Sequence, residues 1–140
     1  MNIKYVISYL GLVPFLYLIL DGYFFGYLDI IFIINISIYM ACIIFTFIGA
    51  YNWDFKKDNF ILELYGFLPS LFSMILLMLN LVGFDKVILL NCLVLAFLLQ
   101  LIIDLYITLK EVFPMRYYIR LRIPITTSLC LSLVMLSKLI

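Results

Sequence analysis

The chain has 140 residues, of which 68% are apolar and only 12% charged, with a formal net charge of +1 and a mean hydropathy of +1.27. A soluble domain carries about 25% charged residues, so the composition excludes an ordinary water-soluble fold and points to a single membrane domain spanning residues 1–140. The nine basic residues are scattered, which excludes the dense basic face that nucleic-acid binding needs.

The elements follow in chain order. A helix needs about 20 apolar residues to cross the hydrocarbon core of a bilayer, and the sequence predicts five such helices, at 3–20, 30–50, 60–82, 87–109 and 123–140. The first is short and is expected to kink at Pro14. It is read as a retained helix and not a signal peptide, because Asp21-Gly22 closes it and no small-residue cleavage site follows. "DGYFFGYLD" (21–29) joins it to the second helix. "YNWDFKKDN" (51–59) joins the second to the third, which contains Pro69. "GFDK" (83–86) joins the third to the fourth, with Gly83 suited to a helix C-terminus and Asp85 to an N-cap. "KEVFPMRYYIRLR" (110–122) leads to the fifth, where Pro124 suits a first turn. Short connections imply antiparallel neighbours. The expected fold is therefore an all-α antiparallel bundle of five transmembrane helices.

Charge sets the expected orientation. With the N-terminus inside, Lys4, Lys56, Lys57, Lys110, Arg116, Arg120 and Arg122 lie on the inner side, and only Lys86 and Lys138 lie outside. This asymmetry favours N-inside, C-outside.

The few polar residues within the spans mark the faces that meet other helices. In the second helix Asn35, Tyr39, Cys42, Thr46, Gly49 and Trp53 recur at steps of three and four. In the third, Glu63, Gly66, Ser70, Ser73 and Asn80 do the same, with Leu77 filling the gap. The two stripes are expected to pack tightly, with a polar cavity lined by them as the sharper alternative. In the fourth helix Gln100, Asp104 and Thr108 fall four apart on one face. Asp104 lies roughly 7–8 Å from the inner helix end at 1.5 Å per residue, where an unpaired carboxylate is expensive. It needs a partner, and Lys110, Arg116, Arg120 and Arg122 are the candidates. The alternative is a carboxylate that binds a proton or cation.

In the inner loop, Arg116, Tyr117, Tyr118, Arg120 and Arg122 suit headgroup depth and anionic phosphates, or the docking of a partner. Asn52 and Trp53 are read as part of a helix exit with interfacial anchors, or as a partner contact. The three cysteines are far apart and histidine is absent. No nucleophile–base pair, phosphate cradle or metal cluster is present, so no catalytic residue, cofactor or metal is expected.

Four motifs occur in order: "YLGLVPF" (9–15), "IIFTFIGAYNW" (43–53) preceded by Tyr39, "LPS" (68–70) and "YYIRLRIPIT" (117–126). Together they make the chain resemble the domain-of-unknown-function family number 3429, which includes bacterial inner-membrane proteins and the mitochondrial transmembrane protein 69. The family's Gly-Gly step is Gly49-Ala50 here, its frequent histidine is Asn52, and its following small residue is Asp54. The resemblance implies five helices in a bacterial or mitochondrial inner membrane and supplies no activity. The expected function is a non-catalytic accessory subunit or assembly partner of a larger, respiratory membrane complex, with membrane lipids and other membrane subunits as partners. A small proton- or cation-coupled carrier or channel using Asp104, acting as a dimer, is the alternative. A lipid-interacting or lipid-modifying protein that uses the arginine-tyrosine loop is a third reading.

Overall fold

The computed structural model describes residues 3–50, 60–110 and 115–140. Among these the chain is helical, with no strand. The helices are α1 (Ile3–Leu10), α2 (Val13–Leu20), α3 (Ile30–Ala50), α4 (Phe60–Val82), α5 (Lys86–Leu109), α6 (Met115–Tyr117) and α7 (Ile123–Ser137). Wide π turns occupy Asp21–Phe25 and Tyr118–Arg122. Five helical stretches are long and apolar enough to cross a membrane: Ser8–Phe25, Ile30–Ala50, Glu63–Val82, Lys86–Leu109 and Tyr118–Ser137.

The first predicted helix is interrupted one turn earlier than Pro14. Pro14 has no N–H to give the carbonyl of Leu10, and its ring blocks that position. The chain therefore leaves α1 at Leu10, and Pro14 takes the first turn of α2, where proline is tolerated. Asp21 does not close this helix. The helix continues through the π turn to Phe25 and stops at Gly26, which has a left-handed φ of 64°. The fully buried Asp21 carboxylate then accepts from the backbone N–H groups of Tyr27 (3.3 Å) and Leu28 (2.9 Å). It satisfies donors that would otherwise be orphaned as the chain turns toward α3.

The boundaries of α3 and α4 match the predicted ones. α5 begins one residue earlier, after the expected cap: the Asp85 carboxylate accepts from Val87 N–H at 2.8 Å. α7 ends at Ser137 and is preceded directly by the π turn, so part of the expected inner loop is helical.

The core lies where α3, α5 and α7 meet, with Ile34, Ile38, Leu90, Leu93, Leu129 and Leu133 essentially inaccessible. The outer surface is also apolar, with Phe47, Leu81, Val82, Leu99 and Leu131 exposed. Such a surface suits lipid, and in water it would be an aggregation patch.

α3 packs most extensively on α4, and α5 on α7, whereas α4 and α5 touch little despite their short connection. The α3–α4 contact is the expected one between two small-residue stripes. Ser73 donates to the Cys42 carbonyl at 3.0 Å, Phe45 meets Phe72 edge-on, and Gly49 lies against Pro69 and Gly66. Several serine and threonine hydroxyls stay within their own helix. Ser37, Thr46, Thr108, Thr127, Ser132 and Ser137 each donate to a carbonyl three or four residues back in their own helix, which satisfies them locally. The stripe therefore works mainly through size, by letting backbones approach.

Candidate functional site

The polar residues of the spans converge at one place. Gln100, Asp104 and Thr108 share a buried face of α5, as four-residue spacing dictates. One Asp104 carboxylate oxygen lies 3.3 Å from the Arg122 Nε. The other accepts from the Tyr65 hydroxyl of α4 at 3.0 Å. Thr108 donates to the Asp104 backbone carbonyl at 2.7 Å. Tyr118 donates to the Leu101 carbonyl at 2.9 Å and ties the π turn to α5.

Of the four candidate cations, the partner is Arg122. The π turn delivers it, nearly fully buried, to the N-terminal end of α7, the helix packed on α5. Arg116 and Arg120 stay exposed, and Lys110 caps the exposed Tyr106 ring at 4.4 Å. Burial of opposite charges at this distance leaves the cluster neutral and offsets the cost of each charge alone.

In the inner loop, Tyr118 is buried and bonded to α5, and Arg122 is paired with Asp104, so both side chains turn into the bundle. Tyr117 lies in α6, with its side chain outside the described set. Asn52 and Trp53 lie outside the described residues.

Tyr65 is the member that sequence reasoning missed, because it sits beside the stripe through Gly66 and not on it. Depth was the available signal. Tyr65 is five residues from the start of α4, and Asp104 is five from the end of α5, so both lie at one level of a hairpin.

Two cavities flank the cluster. One, of about 390 Å³, lies between α4 and α5 with Phe45 of α3 behind it, and it reaches Tyr65 and Gln100. The other, of about 560 Å³, is enclosed by α1, α3 and the start of α7, and it reaches Arg122 and Thr126. Among the described residues no three of His, Cys, Asp and Glu converge to hold a metal ion. Cys42, Cys92 and Cys130 are separate free thiols. The arrangement can hold three helices together and can present polar groups to either cavity. No family model, curated protein or solved structure matches the chain.

Proposed function

We infer that this is a non-catalytic protein of a bacterial or mitochondrial inner membrane, an accessory subunit or assembly partner of a larger, respiratory membrane complex. One observation carries the reading: the ion pair among the spans is turned inward. Both Asp104 carboxylate oxygens are engaged, by Arg122 and Tyr65, so the buried pair braces α4, α5 and the start of α7. A braced, largely apolar bundle is suited to association within the bilayer. The five apolar spans support the membrane assignment.

The bundle is antiparallel in this reading, N-inside and C-outside. Residue pairs across α3–α4 (Cys42 with Ser73, Gly49 with Gly66) and α5–α7 (Val94 with Cys130, Asp104 with Arg122) run in opposite senses. Pairs between the first and last spans (Tyr9 with Arg120, Tyr23 with Met135) run in the same sense. These pairings agree with the alternation that the charge asymmetry requires. Extraction of the native protein in mild detergent, followed by native-gel sizing and mass spectrometry, is expected to find it in a large assembly with stoichiometric partners. A stable lone monomer would sink the proposal.

A carrier using Asp104 has one observation in its favour: its partners Tyr65 and Arg122 line two different cavities. For such a carrier, Asp104→Asn would abolish proton flux in liposomes while the protein still folds. Flux that is absent from the wild type, or unchanged by the substitution, removes this reading.

A further inference from the structure

α4 and α5 are consecutive helices joined by three residues, yet they splay apart, because α4 leans on α3 through the Gly49–Pro69 contact. The cleft left between them is the 390 Å³ cavity, within the size range of small-molecule sites. Its lips are Leu68 of α4 with Leu95 and Leu99 of α5, all exposed on the outer surface of the bundle. In a bilayer that surface faces acyl chains, so the cleft opens toward lipid.

The cleft carries one polar feature that the bundle does not use. Gln100 lines it and is only 4% exposed, and no group meets hydrogen-bond geometry at its amide nitrogen or oxygen, the Tyr65 hydroxyl being a polar neighbour only. The nearby Tyr65 hydroxyl is already donated to Asp104. A primary amide left bare in an apolar setting is costly on both its donor and its acceptor side. In the hydrocarbon region bulk water is not there to help. Every other side chain lining the cleft is uncharged, and the adjacent Asp104 is balanced by Arg122. The site therefore suits a neutral head and disfavours an anion, which would meet the Asp104 carboxylate behind Tyr65.

We propose that the α4–α5 cleft binds a neutral, bilayer-soluble molecule whose polar end sets an acceptor beside a donor, the protonated carboxyl of a long-chain fatty acid being the simplest case. The acid's carbonyl accepts from the Gln100 amide N–H and its hydroxyl donates to the Gln100 carbonyl, while the chain lies along Leu99, Leu95 and Phe72. No bond is made or broken. This site is independent of any role in a larger complex.

The test is binding of radiolabelled palmitic acid to the purified full-length protein in detergent, in mildly acidic buffer. Saturable binding is expected, with methyl palmitate (no donor) and hexadecanesulfonate (a fixed anion) competing about tenfold or more less well than palmitic acid. Gln100→Leu should weaken binding about tenfold. Leu99→Trp, an exposed position whose change leaves the core intact, should close the mouth and abolish it. The proposal is overturned if wild-type binding does not saturate, if the methyl ester competes equally, or if Leu99→Trp binds as the wild type does. A photo-crosslinker at position 99 that captures a co-purifying polypeptide would overturn it as well, and would leave the subunit reading standing.

Discussion

Arg122→Leu is expected to destabilise the protein by about 3–5 kcal/mol, the range for removing one partner of a buried ion pair. The effect comes from the residue left behind. Asp104 is 5% exposed, and without the guanidinium its carboxylate keeps the neutral Tyr65 hydroxyl but loses the cation beside it. A charge in that position must be neutralised or pulled toward water, and either course loosens α5 from α7. The companion variant decides the cause. In Asp104→Leu/Arg122→Met both charges are gone and the volume is largely kept. Its stability should recover most of the loss, because an apolar replacement of a buried pair is often neutral or stabilising. Thermal unfolding in detergent, followed by circular dichroism for wild type, both single variants and the double, gives the coupling. Equal losses for the single and double variants would mean that Arg122 acts through packing alone.

Gly49→Ala is expected to destabilise, against the usual sign. Inside a helix, alanine is normally better than glycine by roughly 0.5–1 kcal/mol. Here an added Cβ would lie 2.6 Å from the Pro69 Cγ, 2.8 Å from its Cβ and 3.0 Å from the Gly66 carbonyl oxygen. A proline ring inside a helix and a backbone oxygen have little room to yield, so α3 and α4 must separate. Overpacking of this kind costs about 1–3 kcal/mol. Pro69→Ala placed in the same chain removes the ring and should recover a large part of the loss. Measured unfolding midpoints that rise in the single variant would show that the helices do not approach as closely as Gly49 permits.

These two contacts mark how far the sequence could be read. The five spans were legible because hydropathy over about 20 residues is a coarse and robust signal, and α3 and α4 fall on their predicted bounds. Gly49 could be placed on a packing stripe by spacing alone, and its partner helix was the expected one. Asp104 announced its need for a counter-ion through the cost of burying it. The sequence did not choose among Lys110, Arg116, Arg120 and Arg122, because that depends on rotation about the last helix. The π turn at Tyr118–Arg122 sets that rotation, and five residues are too few for a hydrophobic pattern to distinguish a wide turn from an α turn. For the same reason the sequence does not show that the Tyr118 side chain turns into the bundle. The amide of Gln100 was visible as a polar residue in a span. That it would lack a partner depends on the splay of α4 from α5, a tertiary outcome that no local signal carries.

The Asp104–Arg122 pair also has a consequence for how the chain is made. Synthesis delivers the carboxylate first: α5 leaves the ribosome while its counter-ion is still unmade. Until Arg122 arrives, the fourth span presents to the membrane a charged group at a depth where charge is expensive. Arg122 in turn is a cation that favours keeping its end of the fifth span at the membrane surface until it meets Asp104. The last two spans therefore enter the bilayer as a coupled unit, each making the other's insertion cheaper. A chain interrupted between them carries a fourth helix that is apolar enough to insert but has no partner with which to stay.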